Sequence, residues 1–253
     1  MENLKTILSK LKTLGASGIK ISYEDEGALL NEIITMRYLT ALVGMDLAIK
    51  IGGCEAKRDI VDCLNLNCDI IVAPMCESKF SLQKFSKALQ QYNYSGKKGV
   101  NIETINSYNN INEMNDNFNL IDFITIGRVD LVSSMDKNRD YVNDDHIYDI
   151  VYNTFKIAKA KQLDCYLGGA ISIESKDFIG KLINENLLDK FETRYLIFDT
   201  TKINFDNYVQ LIYWANVFEV EWLKIISERY NVLFKKDIKR IEMIEKRIQD
   251  NVL

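Results

Sequence analysis

Acidic side chains stand where several short apolar segments, each with the alternation of a β-strand, come to an end. Glu24, Asp25 and Glu26 follow the first such segment, and Glu103 and Asp130 follow two later ones. Carboxylates that meet at one rim repel each other, and Mg²⁺ or Mn²⁺, which prefer oxygen ligands, would offset that repulsion. Any one of these residues could equally cap the helix that follows it. As a group, they predict a metal site whose chemistry stays open.

The apolar segments alternate with longer segments of helical periodicity, which indicates a parallel sheet covered by helices. The seven strand segments are residues 18–23, 46–51, 69–73, 99–102, 122–126, 164–167 and 194–198. A doubly wound sheet would place a GxGxxG turn after the first strand, and none is present there. We therefore predict an α/β fold, a TIM-type (β/α)8 barrel, whose eighth strand lies in residues 1–18 or is absent. Its reactive groups would lie at the carboxyl ends of the strands.

The pattern changes near residue 206, which divides the chain into two predicted parts. Residues 1–205 would form the catalytic barrel, and residues 206–253 a C-terminal helical extension whose apolar residues recur at helical spacing. Two alternatives remain open for this extension. It either packs against the outside of its own barrel or docks on a neighbouring subunit, and we expect a homo-oligomer.

Composition narrows the class of protein. The formal net charge of −4 and the pI near 5.3 argue against nucleic acid and anionic membrane as partners. No apolar segment reaches the roughly 18 residues of a membrane span, and the N-terminus lacks the pattern of a signal peptide, so a cytoplasmic location is expected. The five cysteines lack CxxC spacing and are interpreted as small core residues. The single histidine, His146, lies in a polar segment, which argues against Cys–His catalysis.

Several of the strand ends match motifs of one known family. The segment Asn101-Ile-Glu-Thr104 is followed, 27 positions after Glu103, by Asp130 in Ile126-Gly-Arg-Val-Asp-Leu131. These segments, together with Ile70-Ile-Val-Ala-Pro-Met75, resemble the HpcH/HpaI aldolase and citrate lyase β-subunit family of the phosphoenolpyruvate/pyruvate-binding barrel superfamily. The resemblance extends from about residue 18 to residue 200.

The resemblance implies a metal-dependent carbon–carbon lyase or aldolase. Glu103 and Asp130 would hold Mg²⁺ or Mn²⁺, which would stabilise the enolate of a small pyruvate-like or oxaloacetate-like 2-oxo acid, or of an acyl substrate. Water on the metal, with Glu24, Asp25 or Glu26 nearby, would move the proton.

The chain departs from the family pattern at two positions. The aldolase branch has a histidine near the first acidic strand end, where this chain has none, and Lys50 replaces the arginine that pairs with the substrate carboxylate. Arg128 is the candidate that would take over this role, and Arg58, the alternative, is interpreted as a solvated helix residue. Gly52, Gly53 and Gly127 would let substrate approach the backbone.

These departures keep other readings open. The same barrel could catalyse another enolate reaction, namely phosphoenolpyruvate-utilising transfer, thioester hydrolysis or decarboxylation. Alternatively, the protein could be a non-catalytic assembly subunit. The segment Phe191-Glu-Thr-Arg194 precedes the last predicted strand. Its Glu/Arg pair is therefore expected at the end of the barrel away from the chemistry, in a structural or intersubunit role.

Overall fold

Eight strands close into a barrel in chain order in the computed structural model, which describes residues 2–250. The strands are β1 (Ala16–Ser22), β2 (Asp46–Lys50), β3 (Ile70–Ala73), β4 (Lys97–Ile102), β5 (Phe123–Gly127), β6 (Asp164–Gly168), β7 (Lys190–Glu192) and β8 (Leu196–Asp199). Neighbouring strands from β1 to β7 are parallel. The predicted barrel is confirmed.

Helices surround the barrel in the alternation that the sequence predicts. They are α1 (Glu2–Thr13), α2 (Leu30–Val43), α3 (Lys57–Asn65), α4 (Lys79–Gln91), α5 (Ile105–Asn109), α6 (Ile111–Met114), α7 (Arg128–Ser133), α8 (Asp145–Ala160), α9 (Lys176–Asn184) and α10 (Tyr208–Asp250). Short 3₁₀ segments lie at Asn115–Leu120, Arg139–Asn143, Ile173–Ser175 and Phe205–Asn207. Among the described residues, none of the helices combines the length and apolarity that a membrane span requires.

The last two strands differ from the prediction in two ways. The strand missing from the sequence pattern lies elsewhere in the chain, and the segment predicted as the seventh strand runs in the opposite direction. Residues 2–13 form α1, and the strand that the sequence did not reveal is β7, which has only three residues. The segment predicted as the seventh strand is β8, and it runs antiparallel to both β7 and β1. Because the chain reverses between β7 and β8, residues 193–195 lie at the same end of the barrel as the carboxyl ends of the parallel strands.

Alternate residues of each strand face the barrel interior, and their polarity changes along its axis. At the start of β5, Phe123 stacks on Tyr166 with ring centroids 4.2 Å apart, within an apolar interior cluster. Two and four residues further on, Thr125 and Gly127 line a polar cavity. The apolar end is therefore filled with side chains, and the carboxyl end is left open for a ligand.

Helix α10 has a packed part and an exposed part. Its first half buries Tyr208, Phe218 and Trp222, and it contacts α1. Tyr230 donates a hydrogen bond of 2.6 Å to Glu32 of α2. Beyond it, apolar side chains are exposed, and Phe234 is 63% exposed. Residues 251–253 of the predicted extension lie outside the described residues.

Candidate active site

A cavity of about 410 Å³ opens at the carboxyl ends of the parallel strands, and charged side chains dominate its wall. The acidic residues are Asp25, Glu26, Glu103, Asp130, Glu192 and Glu219, and the basic ones are Lys20, Lys50, Arg139 and Arg194. If all of them are ionised, six carboxylates face four cations. The resulting excess of negative charge makes the cavity attractive to a divalent cation.

Glu103 and Asp130, the two predicted metal ligands, line this same cavity. Glu103 is only 2% exposed, and each of its oxygens accepts one hydrogen bond of 2.9 Å, Oε1 from the Met75 backbone N–H and Oε2 from the Asn101 amide. A Cβ at Gly127 would lie 2.6 Å from Glu103 Oε2, so a larger residue there would displace this carboxylate from its position. The wall thus fixes Glu103 in one orientation.

Burial governs the ionisation of both carboxylates. It raises the pKa of Glu103 and that of Asp130, and the positive charge of Lys50 partly lowers each of them. Among the described side chains, no lysine or arginine nitrogen lies within 4.0 Å of either carboxylate. The two groups are therefore not neutralised by ion pairs, although each is partly desolvated.

Lys50 ends β2 and points into the cavity, where its ammonium group lies 2.9 Å from Glu24 Oε2. Burial lowers the pKa of Lys50, but the charges of Glu103 and Glu24 outweigh that effect, and the pKa is raised overall. Lys50 is therefore a fixed positive charge beside the acidic wall. Glu24 pairs with it and is not part of the cavity wall.

Asp25 and Glu26 belong to the cavity wall, unlike Glu24. The Glu26 side chain is 7% exposed, and its Oε1 lies 3.7 Å from Arg194 Nε. Its Oε2 is buried and has no hydrogen-bond partner among the described residues. Burial raises the pKa of Glu26, and Lys20 and Arg194 only partly oppose this shift. Glu26 can therefore hold a proton at a higher pH than an ordinary glutamate.

The three predicted substrate-binding glycines divide between two environments. Gly127 lines the cavity, whereas Gly52 and Gly53 do not. The Gly52 backbone N–H donates to Asp59 Oδ2 at 2.7 Å, so this loop is turned towards α3. The structure thus brings only Gly127 to the site.

Arg128 is not part of the cavity wall, where a substrate-binding residue would have to lie. It is fully buried, and its guanidinium donates to the carbonyl oxygens of Val142, Gly168 and Gly169 and to two side chains, Asn143 and Ser175.

The Phe178 ring lies 4.8 Å from the guanidinium carbon of Arg128. Burial lowers the pKa of Arg128 to about 10, so the group remains charged at neutral pH. All the N–H donors of the guanidinium are hydrogen-bonded to acceptors within the protein. Arg128 is therefore a structural residue, which corrects the role predicted for it.

The end of β7 and the turn to β8 supply cavity residues that the sequence predicts at the opposite end of the barrel. Glu192, Thr193 and Arg194 all line the cavity, and Glu192 accepts a hydrogen bond of 2.9 Å from Lys20 of β1. The reversal of β8 explains this correction, because a strand that ran parallel would have placed these residues at its far end. The sequence carries no clear signal of this hairpin, because the three residues of β7 are too few to show the period of a strand.

Helix α10 also contributes to the cavity wall, through Asn216 and Glu219. The sequence carries no signal that assigns them to the site, because helical spacing predicts a helix but not the surface against which it packs.

Among the described residues, no group of three or more His, Cys, Asp and Glu side chains is arranged to hold a metal ion. The candidate centre thus consists of the two carboxylates Glu103 and Asp130. Mg²⁺ is commonly held by one or two carboxylates, with water and substrate oxygens at its other positions. A two-carboxylate set facing a polar cavity fits that pattern.

Known structures share this fold. Citrate synthase SbnG superposes with a TM-score of 0.62 over 75% of this chain and 81% of its own, at 14% sequence identity. The HpcH/HpaI aldolase from Desulfitobacterium hafniense gives 0.62 over 76% and 82%, at 11% identity. An HpcH/HpaI aldolase/citrate lyase family protein from Burkholderia cenocepacia gives 0.60 over 75% and 82%, at 11% identity.

These neighbours include the family whose motifs the sequence resembles, and at such identities the likeness is one of fold. No family model matches the sequence, and no curated protein matches it significantly.

Replacing Arg128 with methionine should lower the free energy of unfolding by about 3 kcal/mol or more, because several buried acceptors lose their donor. Arg139→Met is the matched control. Arg139 is exposed on the cavity wall, and its replacement should change the stability by only about 0.5 kcal/mol. Urea unfolding followed by circular dichroism measures both. Wild-type stability in Arg128→Met would contradict the structural role.

Proposed function

We propose that this protein is a divalent-metal-dependent enzyme that makes or breaks a carbon–carbon bond beside the carbonyl group of a small 2-oxo acid. The observation that carries the proposal is the pair Glu103 and Asp130, which come from separate strand ends, line one cavity and lack a basic partner within 4.0 Å among the described side chains. The solved structures with this fold include aldolases and a citrate synthase, which is consistent with the proposal.

In this proposal, Glu103 and Asp130 hold Mg²⁺ or Mn²⁺. When bound, the cation supplies Lewis-acid stabilisation of negative charge on the carbonyl oxygen of the substrate. The hydrogen bonds from Met75 and Asn101 keep Glu103 oriented towards the cavity, so no reorganisation of this residue is needed. Lys50 limits the mutual repulsion of the carboxylates without neutralising either of them.

Arg194 is the residue that we assign to the substrate carboxylate. Its side chain is 44% exposed on the cavity wall, and its planar guanidinium can bind a carboxylate through two hydrogen bonds. Lys50 is less suited to this role because Glu24 already occupies its ammonium group. Arg194 would thus replace the arginine that the family carries at the position of Lys50.

Glu26 is the residue that we assign to proton transfer, in place of the histidine of the aldolase branch. Its buried Oε2 lacks a partner, and its raised pKa places the protonated and ionised forms closer in free energy near neutral pH. In the direction of bond formation, ionised Glu26 would remove a proton from the carbon next to the carbonyl group. In the reverse direction it would return that proton.

The exposed part of α10 supports a second proposal, that the protein forms a homo-oligomer. Phe234, Ile238, Ile241 and Ile244 are exposed and recur every three or four residues, which places them along one face of the helix. We propose that the same face of a second copy packs against this stripe, since two-fold contacts between identical surfaces are the commonest mode of self-association.

The metal proposal predicts that the wild-type protein binds Mn²⁺. Glu103→Gln and Asp130→Asn should each weaken binding by roughly ten-fold or more, because loss of a second-shell partner alone typically costs that much. Asp116→Asn removes an exposed carboxylate outside the cavity and should leave binding unchanged. Electron paramagnetic resonance of free Mn²⁺ measures the affinity. A wild-type protein that binds no Mn²⁺ would contradict the proposal.

The proton-transfer assignment predicts that the protein with Mg²⁺ exchanges the methyl protons of pyruvate with deuterated solvent. Glu26→Gln should slow the exchange by about 10²-fold, the usual contribution of a general base. Because burial raises the pKa of Glu26, the rate should rise with pH in a range above that of an ordinary glutamate, and this rise should vanish in the variant.

Proton NMR follows this exchange, and Glu219→Gln, another carboxylate of the wall, is the control that should have a much smaller effect. No exchange in the wild-type protein with bound metal would contradict the enolate chemistry itself. Equal slowing in Glu26→Gln and Glu219→Gln would instead contradict the specific role of Glu26.

The oligomer proposal predicts that the wild-type protein has a mass of at least two chains in light scattering. The double variant Ile238→Lys/Ile241→Lys should be monomeric, because lysines would bring charge into the apolar contact. Lys236→Ala/Lys239→Ala alters the opposite helix face and should leave the mass unchanged. A monomeric wild-type protein would exclude the proposed contact.

A further inference from the structure

Two cysteines meet beside the candidate site, although they are far apart in the sequence. Cys54 lies in the loop between β2 and α3, and Cys76 in the loop between β3 and α4. Their Sγ atoms are 3.4 Å apart, and both thiols are free. Both loops follow the carboxyl ends of their strands, so the thiol pair lies at the same end of the barrel as the cavity.

The two thiols differ in the way that a peroxide-reactive pair requires. Cys54 is partly exposed, so an oxidant can reach it, whereas Cys76 is fully buried. The hydrogen bond from the Cys76 thiol lowers the pKa of Cys54, because it stabilises the thiolate. Cys54 is thus suited to react first, and Cys76 is in place to resolve the product.

We propose that Cys54 and Cys76 form a reversible disulfide on reaction with a hydroperoxide. The Cys54 thiolate attacks the terminal oxygen of the hydroperoxide, the O–O bond breaks, and an alcohol (water, for hydrogen peroxide) leaves with the thiol proton. The Cys76 sulfur then attacks the Cys54 sulfenic acid, the S–S bond forms, and the hydroxyl group leaves as water with the Cys76 proton. Two thiols lose two electrons, and the hydroperoxide gains them.

The disulfide would act on the hydrogen bonds that hold Glu103. An S–S bond is about 2.05 Å long, so the sulfur atoms must approach each other by more than 1 Å. The neighbour of Cys76, Met75, donates to Glu103 Oε1, and the Cys76 backbone N–H donates to the carbonyl oxygen of Asn101, whose amide holds Glu103 Oε2. A shift of Cys76 therefore reaches both donors to Glu103, and oxidation should weaken cation binding.

A second thiol pair provides an internal comparison. The thiols of Cys63, in α3, and Cys68, in the loop that follows it, also interact with each other, but both are buried. Proximity alone would make the two pairs equally reactive. Access from solvent distinguishes Cys54–Cys76.

To test this proposal, the wild-type protein is treated with hydrogen peroxide and its free thiols are counted after denaturation. The count should fall from five to three and return to five with dithiothreitol. Trypsin places Cys54 in peptide 51–57 and the other three nearby cysteines in peptide 59–79. A cross-link between these peptides should be present in Cys63→Ser and Cys68→Ser and absent from Cys54→Ser and Cys76→Ser. Five surviving thiols, or a link within peptide 59–79 only, would overturn the proposal.

The effect on the site has its own readout. Oxidation should weaken Mn²⁺ binding to the wild-type protein by roughly ten-fold, as loss of second-shell support does, and should leave the affinity of Cys54→Ser unchanged. This part rests on the proposed metal site, whereas disulfide formation does not. Reduced protein that binds no Mn²⁺ would count against the metal site alone, and equal affinity before and after oxidation would exclude the regulatory effect.

Discussion

The placement of Glu103 is the constraint on which the rest of the site depends. A glutamate at the buried end of a strand loses most of its hydration, and two directed hydrogen bonds and a nearby lysine compensate only part of that loss. The neighbouring positions are adapted to it, since Gly127 leaves space for the carboxylate and Lys50 brings charge without a direct ion pair. The site is therefore built around an incompletely compensated anion.

The barrel separates structural support from reactive groups along its axis. At the start of the strands, stacked aromatic side chains fill the interior. At the other end, Lys20, Lys50 and Thr125 replace them and leave a polar cavity. Because successive inward positions on one strand are two residues apart, a change of residue type at every second position is enough to convert a packed core into a binding site.

The two arginines near the site differ in burial, and burial decides whether their N–H donors are available to a ligand. Arg128 stands two residues before the predicted ligand Asp130, yet five internal acceptors use its donors. Arg194 lies far away in the sequence, but its side chain remains partly free on the cavity wall. A guanidinium whose donors are all satisfied inside the protein has nothing left for a substrate, so position along the chain was a poor guide to role here.

The sequence by itself determined the alternation of strands and helices, and with it the barrel and the common rim of Glu103, Asp130 and Lys50. That inference holds because the hydrophobic period is local and the carboxyl ends of parallel strands meet at one end of a barrel. Only the tertiary structure decided the direction of β8, because a three-residue β7 carries too little periodicity to be recognised. The end of β7 and the turn that reverses the chain bring Glu192 and Arg194 into the cavity, and the packing of α10 adds Glu219. These contacts join residues far apart in the chain, and no local pattern encodes them.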